Sequence, residues 1–170
     1  MGEVKDIVVR KATLSDIYDI RDLWISMMDY HKEFDNRFTI VARGPERFLE
    51  YCKNIIKNSS YHVLVAEVDN TVVGYVISAI FENPEIFILS RYGFLAEMSV
   101  AADYRGSGIG KKLWARTVKW FRKEGINTVQ LNVSYLNESG INFWNSLGFK
   151  PFLHILWNDL SNLPGDVETE

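Results

Sequence analysis

The stretch FLAEMSVAADYRGSGIGKKLW, Phe94 to Trp114, decides how the rest of the chain is read. Its first half, Phe94 to Val100, is mostly apolar and reads as a buried strand. The turn Arg105-Gly106-Ser107-Gly108-Ile109-Gly110 then sets three glycines where a helix begins, among N–H groups that have no carbonyl partner one turn back. Those N–H groups and the helix dipole favour a phosphate. Arg105, Lys111 and Lys112 add positive charge around the same spot.

Spacing narrows the ligand. A P-loop ending on Gly110 requires glycine where Arg105 stands, and Ser or Thr where Lys112 stands. A dinucleotide fingerprint starting at Gly106 requires glycine at Lys111, and one starting at Gly108 requires it at Leu113. Neither pattern is present. The pattern that is present is Arg-x-x-Gly-x-Gly after a strand, formed by Arg105, Gly108 and Gly110. Val100 closes the strand, and Asn137, Phe143 and Gly148-Phe149 follow in NESGINFWNSLGF. With these residues the sequence resembles the GCN5-related N-acetyltransferases (GNAT family), over nearly the whole chain.

Composition bounds the reading. The 170 residues, 47% hydrophobic and 24% charged, suit one soluble domain over residues 1–160 with a polar tail, 161–170. A net charge of -3 exerts no global pull on nucleic acid, so any anion site is local. No run approaches the roughly 20 apolar residues of a membrane span, and the N-terminus has no signal-peptide core. The expected location is the cytoplasm, in line with a single cysteine, Cys52, which reads as helix packing. Three scattered histidines and one cysteine have no metal-ligand spacing, so no metal is expected.

Along the chain, Ile7-Val8-Val9-Arg10 reads as a strand. A helix follows with Ile17, Ile20, Leu23, Trp24 and Met27 at helical spacing, running to about His31. Asp29 to Arg43 reads as a loop, whose Asp29, His31, Glu33 and Asp35 read as solvated charges, with an acidic rim for a cationic substrate as the alternative. A second helix begins after Gly44-Pro45. Tyr61 to Val68 and Thr71 to Ile80 read as a hairpin turning at Asp69-Asn70. The helix after the glycine turn buries Ile109, Leu113, Thr117, Trp120 and Phe121 and ends at Gly125. Thr128 to Val133 is a strand, Asn137 starts a helix closed by Gly148, and Phe149 to Trp157 reads as an edge strand.

The resemblance implies an α/β GNAT fold: a mixed, largely antiparallel sheet with helices on both faces, and a splayed strand pair, ending at Val100 and Val133, that holds the cofactor. It implies acetyl-coenzyme A as co-substrate, with the pyrophosphate on the amides of Arg105, Gly106, Ser107, Gly108, Ile109 and Gly110, next to Lys111. The pantetheine arm runs along the backbone of Met98, Ser99 and Val100, with Asn137 bonding it and Asn132, Phe143 and Trp144 completing the contacts. The implied reaction is acetyl transfer to a primary amine; the alternative of an acidic rim puts a polyamine or other small amine ahead of a protein N-terminus or lysine. Homodimers occur in such families.

The strand alternation sets Glu97 opposite Met98 and Val100, together with Leu95 and Ser99, as base or amine anchor. A carboxylate in an apolar strand is costly unless paired, so a structural Arg or Lys partner is the alternative. Trp144 stands where the family commonly has the tyrosine that protonates the thiolate, and an indole N–H is no acid at neutral pH. Tyr135 is the nearest replacement in sequence. The departure at Trp144 also keeps open a coenzyme A sensor without turnover.

Overall fold

The computed structural model describes residues 6–162. Five strands, β1 (Ile7–Lys11), β2 (Tyr61–Val68), β3 (Thr71–Glu82), β4 (Arg91–Val100) and β5 (Val129–Leu131), form one sheet in chain order. The first three pairings are antiparallel and β4 with β5 is parallel. The β2–β3 turn has Asp69 and Asn70 at φ 51° and 62°, the mirror-type hairpin that these residues tolerate best after glycine.

Four helices cover both faces: α1 (Ile17–Lys32), α2 (Gly44–Lys57), α3 (Ile109–Lys123) and α4 (Glu138–Ser146). On one face Ile17, Ile20, Phe48, Cys52 and Ile55 pack against Val63, Val65, Tyr75 and Ile77. On the other, Ile109 and Leu113 pack against Leu64, Ala66, Val76 and Leu95. The periods of 3.6 and 2 produce this sandwich directly, because each helix has one apolar stripe and β2 and β3 are apolar on both faces.

Gly93 matters to the second face. A Cβ there would lie 2.5 Å from Phe121, so only glycine lets α3 settle onto β4 at this point.

Three expectations change. The connection from Asp29 to Arg43 is not all loop, since α1 runs to Lys32 and a 3-10 turn spans Asn36–Phe38. The strand from Thr128 shortens to Val129–Leu131. Phe149 to Trp157 forms no strand at all. Beyond Phe149, which packs on Trp114 and Trp144, the segment is apolar on both sides, with Phe152, Leu153, Ile155, Leu156 and Trp157 all exposed. The expected tail, 161–170, lies largely outside the described residues.

Candidate active site

β4 is held on both sides only at its start. Gly93, Phe94 and Leu95 pair with Val129, Gln130 and Leu131, and from Ala96 to Val100 the same edge has no strand partner among the described residues. A gap therefore opens toward the glycine turn, with β4 as one wall and the segment from β5 to α4 as the other. This is the splay that the resemblance implied.

At the head of the gap, the N–H groups of residues 106–111 find no acceptor among the described residues. Gly106 and Gly108 have φ of 78° and 87°, the left-handed conformation that glycine adopts without strain, and the space beside both is open. Gly110 serves packing instead, because a Cβ there would lie 3.0 Å from Phe143, and its absence lets α4 close onto the start of α3. Successive free amides at a helix start fit a pyrophosphate.

Arg105 departs from the expected set of free amides, because its N–H donates to the Ala102 carbonyl at 3.1 Å. Its Nε donates to the Val100 carbonyl at 3.2 Å, and its guanidinium lies 5.4 Å from the centre of the Tyr30 ring. Lys112 reaches the Ile7 carbonyl at 3.4 Å. Lys111 is exposed.

Asn137 caps α4. Its Oδ1 accepts from the Gly140 N–H at 2.9 Å and from the Ser139 hydroxyl at 3.0 Å, which leaves Nδ2 as the donor available to a ligand. Asn132 is exposed just beyond β5. Trp144 lies edge-on to Trp114, Phe143 and Phe149, with centroids 6.2, 4.8 and 5.4 Å away. That aromatic cluster ties α4 to α3, so packing explains the residue. Tyr135 is 83% exposed, in electrostatic reach of Arg37.

Glu97 occupies the other side of β4. Its register needs a correction: Ile77 pairs with Glu97 and Ser78 with Leu95, so Ala96 is an extra residue and β4 carries a bulge. The bulge resets the alternation. Leu95 joins Met98 and Val100 on the α3 face, whereas Ala96 packs on the α1 and α2 face. Glu97 hydrogen-bonds Tyr75, which belongs to that latter face, and Ser99 donates to the Leu23 carbonyl of α1 at 3.4 Å. Bulges re-aim side chains in this way next to active sites.

Half-buried Glu97 has no Arg or Lys within ion-pair distance among the described residues. Its partner is the fully buried Tyr75, whose hydroxyl donates to Oε2 at 2.9 Å. Burial pushes the carboxyl up to about 7, and the Tyr75 bond only partly opposes that. The charge in turn disfavours ionisation of its neighbours: burial and Glu97 together raise Tyr51, and push the Cys52 thiol up to about 12. Tyr75 escaped the sequence reading because only the β3–β4 register brings it beside Glu97.

The acidic rim does not assemble. Asp35 accepts from the Arg37 backbone at 2.8 Å and pairs with the Arg37 guanidinium, which holds its carboxyl down at about 2. His31 Nδ1 bonds the Met27 carbonyl at 2.8 Å within α1. His62 stacks on Trp120 at 4.7 Å, and burial lowers it to about 4. No group of three or more His, Cys, Asp or Glu able to hold a metal occurs among the described residues.

Comparison with known proteins identifies the class. The model of the acetyltransferase (GNAT) family matches residues 23–149, and the chain belongs to that family. An N-alpha-acetyltransferase of Sulfurisphaera tokodaii is 31% identical over 153 residues, covering 86% of this chain and 81% of its own length. An uncharacterized N-acetyltransferase of Methanocaldococcus jannaschii is 26% identical over 153 residues, covering 86% of this chain, which spans 62% of that relative's length. Among solved structures, a Clostridium acetobutylicum protein described as a predicted acetyltransferase, crystallised with acetyl-CoA, superposes with a TM-score of 0.71 at 19% identity, covering 93% of this chain and 99% of its own. The chain is thus an N-acetyltransferase of the GNAT type.

Proposed function

We propose that this chain acetylates the α-amine of a peptide or protein N-terminus, with Glu97 taking the amine's proton. The observation that carries this reading is Glu97 itself: a half-buried carboxylate, bonded to Tyr75 and without an ion-pair cation among the described residues, with its carboxyl near 7. An α-ammonium releases its proton near pH 8, a lysine or polyamine ammonium at about pH 10. Transfer to Glu97 is therefore uphill by about 1 kcal/mol for the first and about 4 kcal/mol for the second. The Sulfurisphaera relative's name agrees with that choice.

The residues fit the co-substrate. The free N–H groups of residues 106–111 would hold the pyrophosphate, with Lys111 beside them. The open edge of β4 at Met98, Ser99 and Val100 and the Asn137 Nδ2 would hold the arm, between Asn132, Phe143 and Trp144. Acetyl-coenzyme A, when bound, supplies the acetyl group as a thioester. Glu97 orients the incoming ammonium, accepts its proton and passes it to solvent. A small-amine acceptor is the second reading, supported by the exposed Asp29 and Glu33 but weakened by the loss of Asp35 to Arg37.

The working unit in this reading is a single cytoplasmic domain, paired with a second copy over the exposed 152–157 segment. Those side chains and the short outer edge of β5 leave both a strand-like segment and a strand edge uncovered. Light scattering is expected to return a dimer mass, and a monomer removes this element.

The acceptor is tested by thiol release from acetyl-coenzyme A over short peptides with free α-amines, their N-acetylated forms carrying lysine, and polyamines. Turnover confined to free α-amines is expected. Preference for polyamines overturns the reading, and donor binding without turnover on any amine shifts it to a sensor.

A further inference from the structure

We infer that the outer face of α3 is a docking surface for duplex RNA, gripped by its phosphate backbone. α3 carries six of the chain's 19 Lys and Arg and none of its 22 Asp and Glu. Apart from Ala115, every exposed side chain of the helix is basic: Lys111, Lys112, Arg116, Lys119, Arg122 and Lys123. The net charge of -3 conceals this concentration. On the opposite face of the sheet the helices expose acids among their bases, Asp19, Asp22 and Asp29 on α1 and Glu46 and Glu50 on α2.

Lys112, Arg116, Lys119 and Lys123 recur at steps of four, three and four, so they form one row about 16 Å long. The row runs along the β1 side of α3. Lys112 Nζ reaches the Ile7 carbonyl at 3.4 Å, and Arg116 and Lys11 of β1 both lie in electrostatic reach of His62, which stacks on Trp120. β1 and β5 are opposite edges of the sheet, and the gap for the co-substrate opens beside β5. The row is therefore distinct from the coenzyme A site, where only Lys111 of the six is assigned. Among the described residues none of the row's cations makes an ion pair. Like charges one turn apart destabilise a helix, so the row costs stability unless an anion covers it.

The partner's chemistry follows from what accompanies the charge. A helix that lies in a membrane surface adds apolar side chains that enter the lipid, and α3 exposes none, since Ile109, Leu113 and Phe121 are buried in the core. A protein interface centres on aromatic and apolar anchors, which this face lacks. A nucleic acid requires neither, because Lys and Arg on phosphates supply the affinity. α3 also lies flat on the sheet and exposes no Asn, Gln, Ser or Thr to read a base. The wide, shallow minor groove of an RNA duplex accepts such a face through its phosphates, whereas the major groove of DNA takes a protruding helix. Glu97 is on the other side of the sheet, with Tyr75, so bound RNA leaves that side open.

The test is fluorescence anisotropy of a labelled RNA duplex of about 20 base pairs with the full chain. Log affinity is expected to fall with log salt at a slope of about -4, as four phosphate contacts require. Arg116→Gln, Lys119→Gln and Lys123→Gln together keep helix propensity. They should weaken binding on the order of 10²-fold near 0.1 M salt and reduce the slope to about -1, with the melting temperature and acetyl-coenzyme A affinity of wild type. Failure of wild type to bind at low salt, or an unchanged affinity in the variant, overturns the inference. Competition by acetyl-coenzyme A also overturns it, because the RNA would then occupy the glycine turn. Equal or tighter binding to DNA of the same sequence, or binding to anionic phosphatidylserine vesicles in place of RNA, overturns the choice of RNA. No readout involves an amine, so the result stands whichever acceptor the enzyme uses.

Discussion

Two acids on the same face of the sheet, Asp16 buried and Glu97 half-buried, have opposite environments. Asp16, between β1 and α1, accepts both terminal nitrogens of Arg10 at 2.7 and 2.8 Å and the Thr13 N–H at 2.7 Å. Arg10 also pairs with Glu67 of β2. That company holds the Asp16 carboxyl down at about 2. Glu97, in the middle of the sheet, has one phenol and is pushed up to about 7. Burial alone does not decide what a carboxylate does. A full set of donors makes Asp16 a permanent anion that pins the sheet edge, and a deficient set leaves Glu97 able to gain and lose a proton near neutral pH.

Breaking the Glu97 side should have the largest effect. Glu97→Gln is expected to cut turnover on the order of 10²-fold or more with little change in donor affinity, and to abolish the rise in kcat/KM through about pH 7. The stability change runs the other way. The folded carboxyl titrates above its ordinary 4.5, so the fold favours the protonated form, and wild-type stability falls as pH rises from about 4.5 to about 7. The glutamine variant should match wild type below pH 4.5 and melt higher at pH 8. A lower melting temperature at pH 8 contradicts this picture of an unpaired carboxylate.

On the Asp16 side the signs reverse. The carboxyl titrates below its ordinary 3.8, so its contribution is present above that pH and is lost as pH falls toward 2. Asp16→Asn should lose on the order of 2 kcal/mol at pH 7, since Arg10 is left facing an uncharged partner though it keeps contact with water and Glu67. Chemical denaturation at pH 7 and pH 3 measures it, and turnover per folded molecule should be unchanged.

The smallest effect extends the series to a buried hydroxyl. Thr117 Oγ1, on the inner face of α3, is fully buried and has no hydrogen-bond partner among the described residues. Thr117→Val should raise stability by about 1 kcal/mol. A loss on denaturant melts would reveal a hydrogen bond at that hydroxyl.

Much of the fold was legible because its signals are local. The left-handed glycines Gly106 and Gly108, the Asp69-Asn70 hairpin and the apolar stripe of α3 are each written within a few residues. The misreadings share a non-local cause. Glu97 was grouped with Leu95 because alternation by two takes no account of the extra residue Ala96, which only pairing with β3 exposes. The spacing of charges does not show that Asp35 is tied to Arg37, because the turn that folds Arg37 back onto it is not visible there. Phe149 to Trp157 carries a strand's composition but joins no strand among the described residues.

The sequence by itself determined the class and the glycine turn at the head of the gap, since Gly106, Gly108 and Gly110 lie within five residues and glycine's freedom is a property of the residue. Only the tertiary structure decided the chemistry at the centre. The acidity of Glu97 depends on a bulge, on burial beneath α1 and α2 and on a hydroxyl from the neighbouring strand. Desolvation and hydrogen bonding act through space, so no window of sequence contains them.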